Sequence, residues 1–262
     1  DGIRDVERSR GLGDVYKRQA ESFGEQIWVF GDSGLILISS DFGQTWAPTA
    51  SPISEDIHYS DSAFGALAIA GNSGMLLLKQ EVNSDWVELP LSESINGISL
   101  TGNNSLVAVG NEGAMWRYGG SNWEFIPTGV DEDLLDVSFL DEDLGVAVGE
   151  NGTIIFSEDG GQSWDYRDAP SEVIESSIVS VEFFSSVRIY AVTEQGHIIK
   201  SAREGTTDVG FLWNLVEIER HYPPGTNEFV GELTSLGVTI HSIDVVSVSY
   251  THLRAHETSL HL

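Results

Sequence analysis

Five copies of a unit of about 40 residues, each made of short apolar strands joined by glycine turns and none with helical periodicity, predict an all-β fold. The architecture that matches is a β-propeller of antiparallel blades. Two regularities carry this. The glycines that open one turn of the unit, Gly31, Gly71, Gly110 and Gly149, stand 40, 39 and 39 residues apart. Each unit also closes on a tryptophan: Trp46, Trp86, Trp123, Trp164 and Trp213.

The copies read IWVFGDSGLILISSDFGQTW, LAIAGNSGMLLLKQEVNSDW, LVAVGNEGAMWRYGGSNW, GVAVGENGTIIFSEDGGQSW and IYAVTEQGHIIKSAREGTTDVGFLW. In each, two apolar strands flank a turn that ends on Gly34, Gly74, Gly113, Gly152 or Gly196; the fifth copy has Thr193 in place of the opening glycine. Sequences such as NSG, NEG and ENG supply the positive-φ positions of tight hairpins, so the strands form meanders and not crossovers. Between each Trp and the next turn lies a further alternating segment (DIHYSD, INGISL, LLDVSFL, SIVSVEFF), which brings each unit to three or four strands. The first unit shows no opening strand, and the tail VTIHSIDVVS reads as the opening strand of a sixth. The expectation is five visible blades of a six- or seven-bladed ring cut at one or both ends; the alternative is a five-bladed ring in which the tail supplies the missing strand. Extra residues at Glu204 to Asp208 map to a loop, and HYPPGTNEF (221–229) reads as a long exposed loop.

Two copies contain the pattern S-x-D-x-G-x-[ST]-W, as Ser39, Asp41, Gly43, Thr45, Trp46 and as Ser157, Asp159, Gly161, Ser163, Trp164. A short Asp side chain can accept hydrogen bonds from turn amides, Gly takes up a conformation other residues resist, and Trp covers the hairpin. These carboxylates are therefore expected to cap turns and not to catalyse or bind metal. The remaining copies keep the aromatic as blade core (Trp86, Trp123, Trp213), with Glu81 and Asn83 as degenerate equivalents in the second. The acidic runs DEDLLD (131–136) and DEDLG (141–145) read as solvated loops.

Composition narrows the function classes. A net charge of −28 argues against a phosphate-backbone partner, so no nucleic acid is expected. The chain has no Cys, which removes thiolate chemistry and disulfides, and no apolar stretch long enough for a membrane helix. Residues 1–19 and 249–262 resemble translated sequencing-adaptor sequence and are set apart from the propeller repeats at 20–248. They hold six of the 13 basic residues but only five of the 41 acidic ones, so the middle is more acidic still. His58, His197, His221 and His241 show no metal-ligand spacing, and no G-x-S-x-G elbow is present. The sequons at Asn103-Asn104-Ser105 and Asn151-Gly152-Thr153 fall where turn geometry itself favours Asn and Gly. No catalytic, cofactor or metal residue is nominated.

The repeats VFGDSGLILISSDFGQTW and AVGENGTIIFSEDGGQSW resemble those of the photosystem II assembly and stability factor-like propellers, a group within the Asp-box (BNR) class, over about residues 26–247. The resemblance implies a non-catalytic scaffold that binds a protein or membrane complex in the periplasm or outside the cell, without cofactors. The alternative is a secreted sialidase-like or other glycosidase propeller with a carbohydrate partner, since such enzymes also carry Asp boxes. A sialidase-like site would need several arginines. Only Arg117, Arg167, Arg188, Arg203 and Arg220 lie in the middle, and none has an F-R-I-P-like context. Trp28 and Trp116 are the only tryptophans outside the closing position, and both lie in strands.

Overall fold

The computed structural model describes residues 17–202 except Asn72 and Val187, together with 212–215, 243–244 and 254–255. The chain divides into two compact units, Asp1–Ile126 and Pro127–Leu262. The described strands form five four-stranded antiparallel sheets, each a meander in chain order. There is no α-helix among the described residues.

The first unit holds three sheets. They are β1 (Lys17–Phe23), β2 (Gln26–Gly31), β3 (Ile36–Ser39), β4 (Ala47–Pro48); β5 (Tyr59–Ala63), β6 (Ala66–Ala70), β7 (Leu76–Lys79), β8 (Val87–Glu88); and β9 (Gly97–Gly102), β10 (Ser105–Val109), β11 (Met115–Tyr118), β12 (Trp123–Phe125). In the second unit are β13 (Leu134–Phe139), β14 (Gly145–Gly149), β15 (Ile154–Ser157), β16 (Asp165–Tyr166), then β17 (Ile178–Ser185), β18 (Arg188–Thr193), β19 (Ile198–Ala202), β20 (Leu212–Leu215). Every described repeat thus has four strands, the upper of the two expected numbers.

Strand β6 shows why the middle strands read as unbroken apolar runs. All of ALAIA is buried. Successive side chains point to opposite faces: Leu67 and Ile69 meet Phe30 and Ile36 of the first sheet, whereas Ala66, Ala68 and Ala70 meet Leu100, Leu106 and Ala108 of the third. A sheet packed on both faces has no solvent side to alternate toward. Full burial of a side chain such as Leu67 or Ile69 stabilises the fold by roughly 1.5–3 kcal/mol. In the second unit the same stacking joins Val146, Val148, Ile154 and Phe156 to Ile178, Val181, Ile189 and Ala191. The fourth strands β4, β8 and β16 are short and exposed.

The first sheet does have an opening strand, contrary to the sequence expectation. Strand β1 pairs with β2 from Lys17↔Gly31 to Phe23↔Gln26, so its first three residues come from the segment 1–19. KRQAESF lacks apolar alternation because Phe23 is its one buried hydrophobic residue, and Glu21 spends its carboxylate on the next sheet. A second correction concerns DEDLLD: its last three residues begin β13, and only its start is a loop. In the tail, Ile243–Asp244 pairs with Arg254–Ala255 in a two-stranded ribbon. The loops at Glu204 to Asp208 and 221–229 lie outside the described residues.

The two glycines of each turn have different jobs. The closing ones, Gly34, Gly74, Gly113, Gly152 and Gly196, have φ between 67° and 84°, the left-handed region that favours glycine. The opening ones do not: Gly149 is extended, with φ −165°, and is small because of what lies beside it. A Cβ there would stand 2.1 Å from the Asp133 carbonyl oxygen, at Gly110 2.5 Å from that of Ser94, and at Gly71 2.8 Å from that of Asp56. Gly31 is likewise extended, and its carbonyl accepts from Ile57 N–H in the connection that leads into β5. Replacing Gly149 by Ala is expected to lower stability by about 1–3 kcal/mol through overpacking alone, read as a shift in the chemical-denaturation midpoint; an unchanged midpoint would show that the connection yields.

Candidate binding surface and its carboxylates

Both full Asp boxes fold into the turn between the third and fourth strands of their sheets. In the first, Asp41 Oδ1 accepts from the Ser39 hydroxyl and the Thr45 N–H, each at 2.8 Å, and Oδ2 accepts from the Thr45 hydroxyl at 2.5 Å. The buried Ser39 Oγ accepts from Gly43 N–H at 2.8 Å, and the Trp46 indole N–H donates to the Gly43 carbonyl at 3.1 Å. The second box repeats this. Asp159 accepts from Ser157 Oγ (2.9 Å), Ser163 N–H (2.9 Å), Gln162 N–H (3.0 Å) and Ser163 Oγ (2.6 Å), and Trp164 donates to the Gly161 carbonyl at 3.2 Å. The hydrogen bonds from Thr45, then that from Ser39, pull Asp41 down to about 2. At Asp159 burial pushes upward, but the donors of Ser163, Ser157 and Gln162 outweigh it and the net shift is downward. Each carboxylate is thus consumed by its own turn.

The second sheet closes the same turn differently. Lys79 stands at the position of Ser39; it is buried, lies 6.0 Å from the Trp28 ring and 5.4 Å from that of Trp86, and donates to the Ser84 carbonyl. Burial lowers its pKa, opposed by Asp85. The Glu81 backbone, with the Ser84 hydroxyl, completes the loop, so the degenerate Asp position serves through its main chain. Nothing in a one-residue reading of LLLK marks that lysine; its alignment with Ser39 in the repeat is the signal. Trp46, Trp164 and Trp213 are buried, whereas Trp86 and Trp123 are only half-buried and lie against the core clusters. Trp86 meets Trp28 edge-on at 6.2 Å, and Trp123 leans on Tyr118 at 5.4 Å.

Sequence reasoning missed a second set of carboxylates, on the opening strands. Asp61 of β5 is half-buried and accepts from the Leu100 N–H at 2.6 Å and the Ser99 hydroxyl at 3.1 Å, both on β9 of the next sheet. Asp136 of β13 does the same to Val181 N–H of β17 at 2.9 Å. Glu21 of β1 accepts from Ser60 and Ser62 of β5 at 2.8 and 3.0 Å, and Glu182 of β17 from Ser138 of β13 at 3.3 Å. Burial pushes Asp61 up, against the donors of Leu100, Ser99 and Ser62. The signal was the acid in each segment (ESF, YSDSA, LLDVSF, SVEFF), hidden among the many acids of the chain.

Other candidates have local employment. Asn103 donates to the Phe64 and Gln80 carbonyls, at 3.4 and 3.1 Å, joining the turns of neighbouring sheets. Asn151 sits at φ 52° in its turn. The His58 imidazole is lowered by burial, then by Arg18, and His197 packs beside Thr193. Arg167 stacks on Phe156 and reaches Asp165 at 3.8 Å; Arg117 lies half-buried in β11, and Arg188 opens β18. Arg203, Arg220, His221 and His241 lie outside the described residues. Trp28 is buried, and Trp116 meets Phe125 edge-on at 6.2 Å. What remains for a partner is the exposed turns and short outer strands, with Phe42, Phe64, Val87, Phe125, Tyr166 and Ile174 as exposed large hydrophobic residues.

Two expectations follow from the carboxylates. Because the Asp41 pKa is lower folded than the ~3.9 of an unfolded chain, its contribution is complete above about pH 4 and is lost as pH falls toward about 2; Asp41→Asn should flatten that part of the stability–pH curve, and an identical acid limb would refute the assignment. Asp61→Leu, which leaves the Leu100 N–H without its acceptor, should cost about 1–3 kcal/mol in urea denaturation.

Residues 115–239 match the family described as Photosynthesis system II assembly factor YCF48. The photosystem II assembly lipoprotein Ycf48 of Prochlorococcus marinus is 36% identical over 64 residues, 24% of this chain and 19% of the relative. The chain therefore matches about a fifth of that relative's length. Among solved structures, "YCF48 bound to D1 peptide" aligns at 16% identity with a TM-score of 0.59, covering 77% of this chain and 66% of the other. An ancestral GH74 enzyme aligns at 12% identity with a TM-score of 0.57, covering 76% and 31%. At these identities the two structures share the fold alone. The chain is a β-propeller of Asp-box repeats that resembles the photosystem II assembly factor family.

Proposed function

We propose that this chain is a non-catalytic scaffold that binds a protein segment during assembly of an extracytoplasmic or membrane complex. The observation that carries the reading is the match of residues 115–239 to an assembly-factor family. The curated relative is named a photosystem II assembly lipoprotein, and a solved structure of the same fold holds a D1 peptide. No helix among the described residues is long and apolar enough to cross a membrane.

The local chemistry supports the same reading. General acid–base hydrolysis of a glycoside needs two carboxylates free to exchange protons at a defined separation. Six acids among the described residues are already engaged: Asp41 and Asp159 by their turns, Asp61, Asp136, Glu21 and Glu182 by the adjoining sheet. Arg167 is engaged by Phe156 and Asp165. A binding scaffold needs only rigid turns that display side chains, and each box is rigid by construction.

An array of peptides covering the extramembrane segments of D1 and of unrelated membrane proteins, probed with labelled full chain, tests the proposal. Saturable binding to a subset, competed by unlabelled chain, is the expected result. Absence of saturable binding together with turnover of an aryl glycoside would replace it with the glycosidase.

A further inference from the structure

Backbone strain sorts by position in the first unit. Among the described residues its non-glycine positions at positive φ are Ser33, Phe42, Phe64 and Glu112. Ser33 and Glu112 occupy the turns between second and third strands, where a small or polar residue precedes the closing glycine. The two phenylalanines occupy turns at the other end of the strands: Phe42 in the Asp box between β3 and β4, Phe64 in the hairpin between β5 and β6. That these turns lie at one end follows from their neighbours. A Cβ at Gly24, in the β1–β2 hairpin, would meet Val82 of the β7–β8 turn at 2.7 Å; Asn103, in the β9–β10 hairpin, joins the Phe64 and Gln80 carbonyls; and Gln26 donates to Ser40 of the Asp box at 3.3 Å.

A bulky side chain at φ 58° or 52° is unfavourable where glycine or asparagine would fit. The twin Asp box makes the point: the position of Phe42 is held there by Gly160, with φ 71°. The Phe42 ring recovers none of that cost by burial, and the Phe64 ring recovers only part of it. Phe42 is 90% exposed and Phe64 37%. Strain of this kind, retained without a full packing return, marks a displayed group. The display is also rigid, since the Asp41 carboxylate and the Trp46 indole hold the backbone on both sides of Phe42.

The charges at this end fix the chemistry of what docks. The described residues of its turns include Glu25, Asp41, Glu81 and Asp85, whereas Lys79 is buried between Trp28 and Trp86 and Arg117 is half-buried beside Gly119 of the β11–β12 turn. An anionic lipid surface would be repelled. We infer that the turns carrying Phe42 and Phe64 form a docking surface for a protein segment with apolar side chains flanked by lysine or arginine, the two rings serving as anchors and the acids as a complementary rim. The inference rests on the protein-binding reading above.

The probe is a fluorescently labelled short peptide of paired leucines flanked by lysines, titrated by anisotropy into the full chain, with a serine-for-leucine peptide as control. The parent should bind the leucine peptide and bind the serine peptide more weakly. Phe42→Gly and Phe64→Asn, each suited to left-handed backbone, should weaken binding roughly tenfold or more while melting close to the parent, which separates anchoring from a structural role. Equal affinity of the two peptides, or of the parent and both variants, overturns the inference and leaves binding elsewhere on the scaffold open to the peptide array. Phe42-dependent binding to anionic phosphatidylserine vesicles, without peptide binding, overturns it in favour of a lipid surface.

Discussion

Face-to-face burial of four-stranded sheets is the constraint from which the rest of this molecule follows. A single sheet with ALAIA in its middle would expose apolar side chains on both sides, and only a neighbour on each face removes them from water. That requirement fixes the composition of the middle strands and the shortness of the outer ones. It also explains the opening glycines: where the chain passes from one sheet to the next, the carbonyls of Asp56, Ser94 and Asp133 come so near that no Cβ fits. Polar groups then have two permitted places. They lie in turns, where Asp41 and Asp159 satisfy their own loops, or on the opening strands, where a carboxylate meets an amide or hydroxyl of the adjoining sheet.

Much of this was legible in the sequence because it recurs. Gly31, Gly71, Gly110 and Gly149 mark the period, and the two complete Asp boxes reveal a turn whose hydrogen bonds follow from residue chemistry. The hidden features are those whose cause lies in another sheet. KRQAESF carries no apolar alternation, because its place in the first sheet depends on pairing with β2 and on hydroxyls of β5. Asp61 and Asp136 look like any other acid in a chain with 41 of them; their partners are main-chain amides about 40 residues away. Lys79 was unreadable for the same reason, since the rings that enclose it come from two sheets.

The contrast between the two Asp boxes shows how a repeat can diverge without losing its frame. Ser39 and Ser157, Asp41 and Asp159, Trp46 and Trp164 make the same bonds within about 0.1 Å. Between those fixed points the sequence changes freely, from Phe42 to Gly160. The second sheet goes further and keeps the turn with a buried ammonium at the serine position and the Glu81 main chain at the aspartate position. A scaffold of this kind separates the residues that hold a loop from those the loop presents, so its surface can be rewritten while its interior is conserved in shape.

The bonds from Asp61 to Leu100 and from Asp136 to Val181 also make two backbone amides report on something other than their own strands. An amide whose acceptor belongs to its own sheet exchanges with solvent when that sheet frays. The Leu100 and Val181 protons are released only when one blade draws away from the next. Their exchange rates therefore measure separation of adjacent blades, at two boundaries, independently of the stability of any single hairpin.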